Sequence, residues 1–190
     1  MNSKKLAVFV EGQTELVFVR EFLKQWYGYD VNIVGFDCYN LLSKEFCDAE
    51  YKYGNEDSEN YFMIVNVGND NSVLSSIGTF VDFHFAIMEI EAWFLGMDGF
   101  MDRLDSRLTR DFVIKNLNIN LDDDPENTIF HPAAELGKIY ALVDKQYDKH
   151  KSDISSIMSL LTNDDFLRLI NSGKCNTFKM FAESLLGVRF

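Results

Sequence analysis

Cysteine and proline are scarce in this chain, with three and two among 190 residues. Cys38, Cys47 and Cys175 are odd in number and have no metal-type pairing, which excludes a disulfide framework and suits structural, reduced thiols. No apolar run reaches the roughly eighteen residues that a membrane-spanning helix needs. The opening MNSKK leads into a strand and not into a cleavable signal, so a cytoplasmic protein with no membrane partner is expected. A Walker lysine loop and a dinucleotide fingerprint are both missing, which argues against an NTPase or a dehydrogenase. His84, His131 and His150 fall in different elements without ligand spacing; His84 reads as a core or edge residue and the others as surface. Positive charge is also short: 18 Lys and Arg face 30 Asp and Glu, a net −12. That balance counts against tight, unaided binding of nucleic acid. Two routes around it remain, divalent ions that bridge carboxylates to phosphate and a basic partner that delivers the substrate.

What is present is apolar and aromatic. Seventeen Phe, eight Tyr and two Trp within a 47% hydrophobic chain give one domain enough material for a sizeable core. Trp26, Trp93 and the phenylalanines at helical spacing belong to that core, since base-stacking platforms need basic residues between the rings.

The most informative stretch runs from Leu6 to Leu23. A β-branched segment ends at Val10, Glu11 and Gly12 form a tight turn, and a helix to about Tyr27 follows, with Thr14 as its N-cap. At the carboxyl edge of an open parallel sheet Glu11 would face a ligand crevice. The bland reading makes Glu11 and Glu15 first-turn acids, stabilised by the helix dipole.

Strand character returns at 31–36 and at 61–67, the second ending in the turn Gly68-Asn69-Asp70-Asn71 before a short helix. The segment 83–95 starts like a strand and finishes like a helix. Alternation would put Glu89 and Glu91 on one side, whereas an early helix would separate them by about 200°. An amphipathic helix is expected over 97–120, a solvated acidic loop over 121–127, and helices alone thereafter, one begun by Pro132 and another stopped by Gly173. The expected fold is therefore α/β, an open, mostly parallel sheet flanked by helices with an all-helical C-terminal extension. Residues 1–97 form the core and 98–190 the extension, packed as one unit.

Candidate magnesium ligands are Glu11 with Glu15, Asp70, Glu89 with Glu91, and Asp98. Hard cations take oxygen donors on rigid elements, and magnesium commonly uses one or two carboxylates and keeps waters. The adjacent aspartates 122–124 read as surface solvation.

The string VEGQTELVFVREFL resembles the opening motif of TOPRIM-like proteins, in which an EG-x-TE turn supplies the acid of a magnesium-dependent nuclease or strand-transfer site. FAIMEIEAWFLG resembles a second motif of the small bacterial members, relatives of the overcoming-lysogenization-defect nucleases. HPAAELGKIY, YDKHKSDISSIMSLL and CNTFKMFAESL look like that family's closing helices. The resemblance implies a Mg2+- or Mn2+-dependent nuclease of DNA or RNA, transfer RNA being one candidate by analogy. It would be the effector of an antiphage system held by an ABC-type ATPase or another defence component, with a homodimer left open. Carried over by position, Glu11, Glu15 and Lys149 would be catalytic; Glu11, Asp70, Glu89 and Glu91 would hold metal; Gly12, Lys149 and Lys151 would bind substrate. Read alone, Tyr147 and Lys149 are ordinary surface helix residues. One departure stands out: the family's Asp-x-Asp pair has no match, the nearest position reading Asn66-Val67-Gly68-Asn69-Asp70. A catalytically silent TOPRIM-like module that docks a basic partner is the alternative.

Overall fold

The computed structural model describes residues 5–10, 13–28, 60–65, 81–84 and 89–187. Glu11, Gly12 and Asp70 lie outside the described residues, as do the expected strand at 31–36, Cys38 and Cys47. Three short strands, β1 (Lys5–Val10), β2 (Asn60–Val65) and β3 (Val81–His84), pair in parallel in that order. Val10, Val65 and His84 are aligned across the ladder, so all three strands leave it at one edge.

Helix dominates everything else. The elements are α1 (Gln13–Tyr27), α2 (Glu91–Gly96), a 3-10 turn (Asp98–Phe100), α3 (Met101–Leu104), α4 (Arg110–Leu117), α5 (Pro125–Thr128), α6 (Pro132–Ala141), α7 (Lys151–Leu160), α8 (Asn163–Ser172) and α9 (Asn176–Gly187). The expectation of a TOPRIM-like α/β fold built on an open sheet is corrected accordingly: among the described residues the protein is mainly helical, and its described core is helix packed on helix. The physical reason is the placement of the aromatic residues. Phe18 and Phe22 of α1, four apart and so on one face, meet Trp93, Phe166, Phe178 and Phe181 with ring centroids 4.9 to 6.4 Å apart. Each of these side chains is fully buried, which is worth roughly 2 kcal/mol apiece in apolar transfer.

Local chemistry explains the element boundaries. α2 is buried along Glu91 to Leu95, the pattern of a helix with no solvent face. Gly96 closes it where a Cβ would stand 2.8 Å from the Cys175 Sγ, so only glycine lets the two segments approach. The single helix expected over 97–120 is broken instead. Extended backbone at Asp105 ends α3, the Thr109 hydroxyl accepts the Phe112 N–H at 3.2 Å to start α4, and Asn118 ends it in the left-handed region. Thr14 is corrected too: it lies inside the first turn of α1 and donates its hydroxyl to Glu15 Oε2 at 2.9 Å. Pro132 begins α6, and Gly173 at φ 79° ends α8, both as the spacing predicts. Among the described residues no helix is long and apolar enough to cross a membrane.

Candidate functional site

The chain turns at Ile90, whose helical φ and ψ (−62°, −19°) start α2 directly. Glu89 is therefore left outside the helix while Glu91 is its first residue. Even so, the two carboxylates converge. Lys149 Nζ lies 2.9 Å from Glu89 Oε1 and 3.4 Å from Glu91 Oε2. The Tyr147 hydroxyl donates to Glu91 Oε1 at 2.6 Å, and the Ala133 N–H donates to Glu89 Oε2 at 2.8 Å. Glu89 thereby caps the first turn of α6, where free N–H groups and the helix dipole both favour an anion.

Tyr147 and Lys149 sit in the irregular segment between α6 and α7, which corrects their reading as surface helix residues. Tyr147 is buried against Tyr140, ring to ring at 5.5 Å. Asp153 Oδ2 accepts the N–H groups of Asp148 and His150, both at 3.0 Å, and this clasp holds the backbone on either side of Lys149. Lys149 itself is in the left-handed region at φ 60°, a conformation costing a non-glycine residue about 1 kcal/mol. The segment is thus bent so that the ammonium reaches back to the acids.

The electrostatics are uneven. Glu91 is fully buried, whereas the side chains of Glu89 and Lys149 retain 30% and 37% of their exposure. Burial pushes the Glu91 carboxyl above the usual range, against the opposing pull of the Tyr147 hydroxyl and the Lys149 ammonium. Burial alone would lower Lys149, but Glu91 and then Glu89 outweigh it and hold the ammonium protonated. The phenol of Tyr147 is driven far up by burial and by the Glu91 charge next to it. Glu91 Oε2 has no hydrogen-bond partner, only the ammonium at 3.4 Å.

The remaining candidates are dispersed. Glu15 is buried on α1 and accepts the Thr14 hydroxyl. Lys151 is exposed at the start of α7. Asp98 pairs with Arg110 at 2.6 Å, and the same guanidinium holds Asp122. The acidic loop is only partly solvated: Asp124 caps α5 through the Glu126 N–H at 3.1 Å and also accepts the Cys175 N–H at 3.0 Å. Next to it Glu126 is buried and accepts from Trp93 Nε1 at 3.0 Å, from the Thr177 N–H at 3.3 Å and from the Thr177 hydroxyl. Sequence reasoning missed Tyr147, Ala133, Asp153 and Glu126 as partners. Only Pro132 gave a hint, since a proline at a helix start exposes neighbouring N–H groups that an acid can cap.

The donors fit a hard divalent cation in part. Glu89 and Glu91 offer two carboxylates, one with an oxygen lacking a hydrogen bond, and magnesium asks for no more than one or two. No group of three or more His, Cys, Asp or Glu side chains that could hold a metal ion is found among the described residues. Comparison with protein-family models, with curated proteins and with solved structures found no match to this chain.

Proposed function

We propose that the chain is a metal-dependent phosphodiesterase that cuts DNA or RNA, transfer RNA included, as the effector of an antiphage system controlled by an ATPase or similar partner in the cytoplasm. The observation that carries this reading is the meeting of Glu89 and Glu91 with Lys149, some sixty positions later in the chain, at a place with access to solvent. An acid pair beside a lysine is the donor set that phosphoryl chemistry uses, carboxylates for the ion and an ammonium for the phosphate charge. A bound Mg2+ or Mn2+ would polarise the phosphoryl group and supply the attacking hydroxide. Glu89, the more open acid, faces the incoming ion, and Glu91 is held in orientation by Tyr147. Lys149 neutralises charge that develops on the phosphate oxygens. The motif strings add Glu11 and Asp70 as further ligands, Glu15 as support and Gly12 and Lys151 as substrate contacts. Glu11 follows Val10 in sequence, directly after the edge at which the three strands end.

The test incubates purified protein with plasmid, single-stranded DNA and total RNA, with and without Mg2+ or Mn2+, beside E89Q, E91Q and E11A. Cleavage that needs the metal and disappears in all three variants supports the assignment. Cleavage unaffected by E89Q and E91Q overturns it.

One observation favours a second reading, a silent module that docks a basic partner. The ammonium of Lys149 already lies against both acids, as in a structural ion pair, on a chain of net charge −12. Absence of cleavage on every substrate, together with unchanged toxicity of E89Q in cells, selects this reading.

A further inference from the structure

Lys149 stands where two carboxylates would place a cation. It contacts both acids, yet satisfies them poorly: Glu91 Oε2 has no hydrogen bond, and two carboxylates against one ammonium leave a negative charge uncompensated. The backbone on either side of Lys149 is clasped by Asp153, so the segment can stay in place while the side chain moves. That side chain is a four-carbon stem with rotatable bonds, already more than one-third exposed. Tyr147 and the Ala133 N–H hold the outer oxygens, Glu91 Oε1 and Glu89 Oε2. The inner pair, Glu89 Oε1 and Glu91 Oε2, is left to the ammonium alone.

From this we infer that Lys149 is a resident counter-ion, which a divalent cation displaces from Glu89 and Glu91. The inference rests on the metal-dependent function proposed above and adds a control to it. Without the ion the ammonium keeps the buried acid tolerable; with the ion the ammonium is released toward solvent and becomes free to meet a phosphate. The lysine and the metal therefore compete for the same two oxygens. Losing a charge-assisted hydrogen bond is part of the cost of metal entry, so removing the lysine should tighten metal binding by about tenfold or more.

Two measurements on the full chain test this. Mn2+ binding is followed by electron paramagnetic resonance in the wild type, K149M, K149R and E89Q. K149M should bind about tenfold tighter than the wild type, K149R no tighter, and E89Q should lose binding and leave the spectrum of free Mn2+. In parallel, acylation of lysine amines is followed by mass spectrometry with and without Mn2+, with Lys151 as internal reference. Lys149 labelling should rise several-fold when the wild type is loaded, while Lys151 stays constant. Loaded wild type with unchanged Lys149 labelling overturns the displacement, whatever K149M does or whether it folds, and leaves the metal site standing. Failure of both the wild type and K149M to bind Mn2+ overturns the displacement and the metal-dependent reading together.

Discussion

Two buried glutamates, Glu91 at the start of the tryptophan-bearing helix and Glu126 hydrogen-bonded to its tryptophan, are treated differently. Glu126 accepts from the indole of Trp93 and from both the N–H and the hydroxyl of Thr177, so donors reach both of its oxygens. Glu91 has one oxygen on a phenol and the other without a hydrogen bond, facing only the Lys149 ammonium at 3.4 Å. A satisfied buried carboxylate ties elements together, here α5 to α9 and both to α2. An under-satisfied one, beside partly exposed neighbours, is where chemistry is worth seeking. The contrast separates scaffold from candidate site without appeal to any relative.

The largest effect that would sharpen the contrast is on the satisfied side. E126A takes the acceptor from the Thr177 N–H and hydroxyl and leaves the Trp93 indole only the Thr177 hydroxyl oxygen at 2.9 Å, and it should cost about 3 kcal/mol, read by urea denaturation. A loss below about 1 kcal/mol would mean that the tie is not structural. Y147F comes next. It strips Glu91 Oε1 of its donor, and a hydrogen bond to a charged group is worth about 2 kcal/mol. Its melting temperature should fall, and restoring a neutral partner by combining it with E91Q should recover most of the loss. E91Q alone should change stability at neutral pH by less than about 1 kcal/mol, because it removes a burial penalty along with the ion pair.

The same variant tests the sign of the electrostatics. Burial raises the Glu91 carboxyl in the folded protein, so the folded state holds that proton more tightly than the unfolded state. Stability that Glu91 permits at low pH is therefore lost as pH rises above the unfolded carboxyl value of about 4.3, through to the folded value. In EDTA the wild type should lose stability relative to E91Q across that window; a parallel pair of curves would contradict the direction. The smallest effect concerns Cys175. Burial, with Glu126 and Asp124 nearby, pushes its thiol up, so alkylation at Cys175, located by mass spectrometry, should be far slower in the native protein than in the urea-unfolded chain.

Which parts were legible in the sequence follows from how local each determinant is. Pro132 and Gly173 mark helix ends through their own backbones, and the structure has both. Glu89, Glu91 and Lys149 were each identifiable as candidates, but their meeting depends on a turn at Ile90 and a left-handed residue some sixty positions away. No spacing rule encodes that. The helix break near Asp105 is hidden because apolar periodicity runs through it, while the extended Asp105 and the Thr109 cap that make it are single residues. Asp124 followed by Pro125 had the form of a helix start, yet the run of acids around it invited a solvated reading. The fold class is hidden for a related reason: strand-like strings at the amino end do form β1 and β2, but the aromatic pairs that bring α1 into the helical core join residues far apart in the chain.

Glu89 belongs to two structures at once, since the oxygen turned away from Lys149 holds the Ala133 amide at the start of α6. Any event that draws the carboxylate toward a new ligand must loosen that amide. The exchange of one backbone proton for deuterium would thus keep a continuous record of what occupies the acid pair.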